Sequence, residues 1–289
     1  MSTAIDTPRT FVTGDGVSLA YRLWRPGPPR RLIVLVHGLA SNLTRWTDFV
    51  STTRLRDSWD LLRLDLRGFG GSVCHGATGT DEWCRDIAAI LTAEHASRAV
   101  FVGHCFGANV ALHFAGRYPG MVDGLVLIEP MFRQALTDWR LVLRPLASAL
   151  VPVIGALNRL GIHRRRLAPL DLEQLDRTAR AAMAVRGRDA FPEELYGSPI
   201  EDLKSTPTAV YLSGLLTVTG ALPDLSTIAA PTLALLSTGG RFGDPSITAR
   251  LLARLPRCET RTLVARHWIP TECPAEMRQA IETWCEGRR

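Results

Sequence analysis

Residues 100–109, Val-Phe-Val-Gly-His-Cys-Phe-Gly-Ala-Asn, decide the fold of this chain. They begin as an apolar run typical of a buried strand and continue after the second glycine as a helical pattern. Between the two lies Gly-x-Cys-x-Gly, whose glycines let a strand and a helix approach around a sharp, strained turn. Such a turn points its central side chain, Cys105, into a pocket. We therefore predict a nucleophile elbow with a thiol in place of the usual hydroxyl. A buried structural cysteine at an ordinary strand–helix turn is the alternative.

Short apolar runs alternate with helical patterns along the rest of the chain, which favours an α/β fold with a mostly parallel sheet. The runs are apolar throughout, as expected for a sheet that helices cover on both faces. Asp15-Gly16 predicts a hairpin turn between the first two. We predict eight strands, at 11–13, 18–24, 32–36, 61–64, 100–103, 125–128, 232–236 and 260–264, with helices at 83–94, 106–117, 246–254 and 274–284.

The strand pattern stops between Pro130 and about Pro223. Helical patterns at 137–150, 171–186 and 200–216 replace it, with prolines between and within them. An insertion of this length is too long for a loop. We predict a helical cap over 131–223, lying above the strand ends where ligands bind in open α/β sheets. Residues 1–130 and 224–289 would then form the core domain.

The composition excludes several classes of protein. The chain has 289 residues and a net charge of +6, and its basic run His163-Arg164-Arg165-Arg166 lacks interleaved aromatic residues, so no nucleic-acid partner is expected. Uninterrupted apolar runs such as 32–36 are far shorter than the roughly 20 residues that cross a bilayer, so no membrane partner is expected. No secretory signal is visible, and the six cysteines lack a disulfide spacing, which predicts a reduced, cytoplasmic chain. No residue pattern requires a metal or an organic cofactor.

Three further motifs follow predicted strands. His37-Gly38-Leu39 follows the strand at 32–36, so the Leu39 N–H can join the Phe106 N–H as a donor to an oxyanion. Asp65-Leu66-Arg67-Gly68-Phe69-Gly70-Gly71-Ser72 follows the strand at 61–64. Arg266-His267-Trp268 follows the last strand, where a loop can deliver a general base.

Together the four motifs, in this order, resemble the α/β-hydrolase superfamily, specifically the capped group of haloalkane dehalogenases, epoxide hydrolases and small esterases. The resemblance runs from about Phe11 to Trp284 and implies an α/β-hydrolase fold with His267 as the base. It implies two places for the acid that orients His267. One follows the strand at 125–128 and holds Glu129, and the other follows the strand at 232–236, where Asp244 lies about three residues late. We favour Glu129 and keep Asp244 as the alternative.

The cysteine decides which chemistry the resemblance implies. Dehalogenases and epoxide hydrolases use an aspartate nucleophile, so Cys105 argues against both reactions. We expect an acyl-cysteine formed from an ester or thioester, leading to hydrolysis or to acyl transfer, with secondary metabolism as one context. The substrate would be a small acyl compound, and coenzyme A or a carrier protein could carry the acyl group. Two alternatives stay open: a lyase or cyclase that uses the same pocket, and a catalytically silent member that only binds a ligand.

Several residues near these motifs are candidates for the substrate pocket, because aromatic and thioether side chains suit an apolar ligand. In the cap, Tyr196 and Tyr211 could join them. The substrate-binding residues that we predict are His37, Met131, Phe132, Trp139 and Trp268.

Overall fold

The computed structural model describes residues 6–136 and 139–288, except for the side chains of Trp139, Arg140 and Asp189. Its strands are β1 (Asp6–Val12), β2 (Ser18–Trp24), β3 (Leu32–Val36), β4 (Asp60–Leu64), β5 (Ala99–His104), β6 (Val122–Ile128), β7 (Thr232–Ser237) and β8 (Cys258–Leu263). Its α-helices are α1 (Thr47–Thr52), α2 (Thr80–Ala93), α3 (Phe106–Arg117), α4 (Trp139–Arg159), α5 (Leu172–Arg186), α6 (Pro199–Ser205), α7 (Thr208–Val218), α8 (Pro245–Leu252), α9 (Ile269–Glu272) and α10 (Pro274–Glu286).

The strands form one sheet in the order β1-β2-β4-β3-β5-β6-β7-β8. Strand β2 is antiparallel to β1 and β4, and the remaining neighbours are parallel. This confirms the predicted mostly parallel, eight-stranded sheet. Every residue of β3 is buried, with Ile33 and Leu35 in one apolar cluster and Val34 and Val36 in another. Since neighbouring side chains of a strand point to opposite faces, both faces are covered at the centre of the sheet. The edge strand β8 is only partly buried and contains polar residues, so the prediction of strands that are apolar throughout is wrong there.

Between β6 and β7 the described chain is helical, but two predicted helices have the wrong bounds. Helix α4 continues to Arg159 through Pro145 and Pro152 instead of ending at 150. Both prolines lie on the exposed side, where water can hydrate the carbonyls that they leave unpaired. The predicted helix at 200–216 is divided into α6 and α7 at Thr206, whose backbone is extended because Pro207 follows it.

The segment predicted to be a cap, 131–223, contacts the rest of the chain at two well-defined places. Helix α7 packs closely, since a Cβ on Gly214 would lie 2.3 Å from Leu39 Cδ1. A buried ion pair joins Arg45 of the core to Asp176 on α5, and Asp176 also accepts hydrogen bonds from Tyr196 and Thr271. Leu39 and Arg45 both follow β3, so these contacts hold the segment near the carboxyl end of that strand.

One helical stretch is not found by counting uninterrupted apolar runs. Within the described residues, Leu141–Arg159 is long and apolar enough to cross a membrane by length and composition, with a mean hydropathy of 1.6. Counting uninterrupted apolar runs missed it, because arginine and proline interrupt the stretch.

Candidate active site

The predicted elbow is present at the end of β5. Cys105 directly precedes α3 and has φ 54° and ψ −119°, a conformation that costs a non-glycine residue about 1–3 kcal/mol. Its N–H donates to the Ile128 carbonyl at 2.8 Å, and its carbonyl accepts from the Ala108 N–H at 2.9 Å. The neighbouring strand and helix therefore hold the strained residue in place.

The two glycines of the motif are required by close backbone contacts. A Cβ on Gly103 would lie 2.4 Å from the Gly107 carbonyl oxygen. A Cβ on Gly107 would lie 2.4 Å from the Val36 oxygen and 2.5 Å from the His37 oxygen. Any larger residue at either position would push α3 away from the sheet and move Cys105.

His267 lies beside Cys105 and is held by Glu129. The His267 Nδ1–H donates to Glu129 Oε2 at 3.0 Å, while Glu129 Oε1 accepts from the Ser237 N–H at 2.5 Å. Glu129 follows β6 with a positive φ of 51°, a turn that directs its carboxylate across the end of the neighbouring strand β7. The structure thus brings together Cys105, His267 and Glu129.

A second carboxylate holds the loop that carries His267. Glu272 on α9 accepts hydrogen bonds from the backbone N–H groups of Arg266, His267 and Trp268, at 2.9–3.1 Å. His104 adds a contact, because its Nε2–H donates to the His267 carbonyl at 3.1 Å. Burial lowers the pKa of His104 well below its usual range, so that ring is neutral. Glu272 is a positioning residue that the motif-based prediction did not find.

The surroundings of His267 favour its charged form. Burial alone would lower its pKa, but the charge of Cys105 and the hydrogen bonds with Cys105 and Glu129 outweigh this effect and raise the pKa to about 9. An imidazolium that persists at neutral pH stabilises a neighbouring thiolate. A charged imidazole beside a cysteine is the arrangement that nucleophilic catalysis by a thiol uses.

The two predicted oxyanion donors lie next to Cys105. Phe106 is the first residue of α3, so its N–H lies at the positive end of the helix. Leu39 lines the same cavity as Cys105, and a Cβ on the preceding Gly38 would lie 3.8 Å from Cys105 Cβ. Among the described residues, no hydrogen-bond acceptor is found for the N–H of Leu39 or Phe106. Both groups are available to a ligand, and their use in catalysis stays a prediction.

A cavity of about 290 Å³ lies above these groups, between the core and the cap. Cys105 and His267 line one part of it, together with Met131 and Trp268, two of the residues predicted to bind substrate. The cap contributes apolar and aromatic side chains to the wall: Leu172, Leu175, Leu195, Tyr196 and Tyr211. Trp268 is held in place by stacking on Phe191, with ring centroids 5.1 Å apart.

Three predicted site residues lie elsewhere. His37 is fully buried and does not line the cavity. One ring nitrogen accepts a hydrogen bond from the Leu66 N–H and the other donates to the Gly38 carbonyl, so both nitrogens are bonded to the backbone. Phe132 packs in the apolar core behind Met131. Asp244 caps α8, accepting from the N–H groups of Ser246 and Ile247. Its carboxylate is thus used at a helix terminus, and the His267 Nδ1–H donates to Glu129 instead. The Trp139 side chain lies outside the described residues.

Arg45 is a cavity residue that the sequence did not reveal. It is buried, lines the cavity and contacts Asp176 and Thr271. Its partner Asp176 is 131 positions away in the chain, so no local pattern signals the pair. A buried arginine is stable only with such partners, and it links the cap to the floor of the cavity.

Comparisons with known proteins identify the family and support the fold. A family model described as "Serine aminopeptidase, S33" matches residues 27–269. An uncharacterized protein of Mycobacterium tuberculosis is 31% identical over 123 residues, which are 41% of this chain and 34% of that protein. A 2-hydroxy-6-oxo-2,4-heptadienoate hydrolase of Pseudomonas putida is 34% identical over 99 residues, which are 33% of this chain and 36% of that enzyme. The chain thus matches about a third of the length of these curated relatives.

A solved hydrolase structure from Pseudomonas aeruginosa shares the fold, with a TM-score of 0.69 and 22% identity over 96% of this chain and 98% of that one. At this identity the likeness supports the fold alone. The family model, however, spans most of the sequence, including the elbow, the Glu129 turn and the His267 loop. The chain therefore belongs to the serine aminopeptidase S33 family of α/β-hydrolases and carries a cysteine, Cys105, at the sharp turn between β5 and α3.

Proposed function

We propose that the protein is an esterase or thioesterase that forms an acyl-cysteine on Cys105. One observation carries this proposal: the strained Cys105 contacts a histidine whose pKa is raised to about 9 and whose other nitrogen is bound to Glu129. This is the order of nucleophile, base and orienting acid that acyl transfer requires. The family assignment supports hydrolysis as the reaction class.

In the first half-reaction, Cys105 Sγ attacks the carbonyl carbon of the substrate. The carbonyl oxygen becomes an oxyanion that accepts hydrogen bonds from the N–H groups of Leu39 and Phe106. When the tetrahedral intermediate collapses, the bond to the leaving alcohol or thiol breaks. His267 gives its proton to that leaving group, and the acyl group stays on sulfur as a thioester.

In the second half-reaction, water attacks the thioester carbonyl while the now neutral His267 takes a proton from it. The C–S bond breaks, the acid leaves, and Cys105 and His267 return to their starting state. An alcohol, amine or thiol in place of water would give acyl transfer through the same steps. Glu129 keeps the Nδ1–H of His267 directed away from the sulfur in both half-reactions.

The cavity favours a small acyl group. Its volume of about 290 Å³ is near the lower end of ligand pockets, and Met131 and Trp268 give it an apolar lining beside the charged side chain of Arg45. A larger leaving group such as coenzyme A or a carrier protein would have to remain outside this volume. The proposed substrates are therefore short-chain or single-ring esters and thioesters.

Trapping the acyl-enzyme tests the proposal. We would mix the protein with p-nitrophenyl butyrate or butyryl-coenzyme A, quench with acid and measure intact mass and the modified peptide. The expected result is one butyryl group on Cys105. Cys258→Ala, which removes another partly buried free cysteine, should behave like wild type, whereas Cys105→Ala should show neither adduct nor turnover. Turnover that survives in Cys105→Ala would overturn the proposal and favour chemistry without an acyl intermediate.

A further inference from the structure

Helix α4 presents an apolar stripe to the outside of the protein. Val142, Leu146 and Val153 are 78%, 54% and 55% exposed, and Leu157 is also exposed. Their spacing of four, seven and four residues places them on one side of the helix. The chain beyond the helix continues this surface, since Leu160 and Ile162 are 75% and 60% exposed. Surface helices of globular proteins normally expose a polar side, whereas this helix exposes apolar side chains.

The other side of α4 is held against the cap. Ala147 is buried, and Arg144 Nη1 donates to the Leu216 carbonyl and to Thr219 Oγ1, at 2.9 Å each, around the C-terminal end of α7. A rotation that buried the apolar stripe would break these hydrogen bonds. The apolar stripe of α4 therefore faces outward because these contacts hold the other side of the helix.

The residues of α4 and of the segment that follows it account for the positive net charge of the chain. Residues 139–170 contain six arginines and no aspartate or glutamate. The whole chain has 34 basic and 28 acidic residues, so these six account for its net charge of +6. Four of them, Arg159, Arg164, Arg165 and Arg166, are exposed, and Arg165 and Arg166 directly follow the apolar stripe. A strong positive charge beside exposed apolar side chains is the pattern of a helix that lies on anionic lipid.

We propose that α4 together with residues 160–166 is a docking surface for an anionic lipid bilayer. The apolar stripe would enter the boundary between head groups and acyl chains, and the arginines would bind lipid phosphates. The helix would lie in the plane of the interface, because its other side is bonded to α7. This proposal replaces the sequence expectation of no membrane partner.

The docking surface is close to the cavity along the chain. Ala168, Pro169 and Leu170, directly after the basic run, line the cavity above Cys105. A docked bilayer would thus lie near the cavity wall, which suits acyl substrates that partition into lipid. This consequence rests on the proposed function, whereas the docking itself does not.

Vesicle flotation tests the docking. The probe would be vesicles of phosphatidylglycerol and phosphatidylcholine, compared with vesicles of phosphatidylcholine alone. We expect binding to the anionic vesicles that weakens with added salt. The double variant Leu146→Asn/Val153→Asn should lose about tenfold in affinity for each side chain. Arg165→Gln/Arg166→Gln should lose about fivefold for each arginine.

The matched control is Val185→Asn on α5, which removes a side chain that is 84% exposed but distant in sequence from the docking surface, and should leave binding unchanged. Cys105→Ala should also bind as wild type does, so a failure of the catalytic proposal leaves this test intact. The proposal is overturned if the protein ignores anionic vesicles, or if Val185→Asn weakens binding as much as the α4 variant. It is also overturned if the protein forms dimers that the α4 variant dissociates while vesicles are not bound, because a second copy would then cover the stripe.

Discussion

Replacing Glu129 by glutamine should disable the histidine without disturbing the fold. In the Glu129→Gln variant, the amide oxygen can still accept from the Ser237 N–H, which lies 2.5 Å from Oε1 in the wild type. The amide NH₂ would then face His267 Nδ1, where the carboxylate oxygen accepts a hydrogen bond at 3.0 Å. Because an NH₂ group can only donate, it favours a neutral ring with the proton on Nε2, and so removes the imidazolium.

The size of the effect follows from the pKa of His267. A rise from 6.5 to about 9 means that the folded site stabilises the imidazolium by about 3 kcal/mol. Cys105 and Glu129 both contribute to this rise. A hydrogen bond to a charged group contributes about 1.5–3 kcal/mol, so the loss of the Glu129 share should lower kcat/KM by about 10- to 100-fold.

The assay is steady-state hydrolysis of p-nitrophenyl butyrate, with thermal unfolding as a check on the fold. The matched control is Asp244→Asn, since asparagine also caps helices well and α8 should keep its hydrogen bonds to Ser246 and Ile247. We expect Asp244→Asn to retain wild-type kcat/KM. The reasoning is refuted if Glu129→Gln is as active as wild type, or if Asp244→Asn shows the larger loss.

Three further predictions concern stability and protonation. Gly107→Ala should destabilise the protein by about 2–3 kcal/mol in urea unfolding, because the new Cβ meets two backbone oxygens, whereas Gly155→Ala in open space should not. Arg45→Met should cost about 3–5 kcal/mol in the same measurement, because Asp176 is left buried without its partner. Burial lowers the pKa of His37 to about 4, so the unfolded chain binds more protons than the folded one as the pH falls from 6.5 to 4. His37 thus contributes stability at neutral pH, and about 3 kcal/mol of it is lost over that range; an NMR titration of the ring checks the pKa.

The sheet and the elbow could be predicted because their signals are local. The runs that became β3 and β7 are buried on both faces and therefore read as apolar throughout. At Gly103 and Gly107 a Cβ would collide with backbone atoms, so the turn requires glycine at both positions. Their spacing in the sequence therefore predicts the turn. The resemblance then pointed to His267, which the structure brings beside Cys105 and Glu129.

The acid could not be settled by counting residues, because its position depends on how loops cross above the sheet. Glu129 reaches His267 through a positive-φ turn after β6, which no residue pattern announces. For Asp244, however, a local signal was present. Asp-Pro-Ser is a typical helix start, with aspartate as the cap and proline at the first helical position, and the structure places α8 there.

Long-range contacts could not be predicted from the sequence, nor could it be predicted which side of a helix faces the solvent. The buried pair of Arg45 and Asp176 joins core to cap across 131 positions. His37 was predicted to bind substrate because it is close in sequence to Leu39. Its ring is fully buried and is hydrogen-bonded to the backbone. The periodicity of α4 shows a stripe, but only the structure shows that the stripe faces outward.

The most direct test of the central claim is the rate at which iodoacetamide alkylates Cys105 at neutral pH, measured by peptide mass in wild type and in His267→Ala. The other partly buried cysteines, Cys74 and Cys258, serve as internal references. An activated pair predicts that Cys105 is alkylated fastest and that His267→Ala slows it by about tenfold or more. If Cys105 reacts no faster than Cys258 and the variant leaves its rate unchanged, the cysteine is not an activated nucleophile, and the acyl-cysteine account is contradicted.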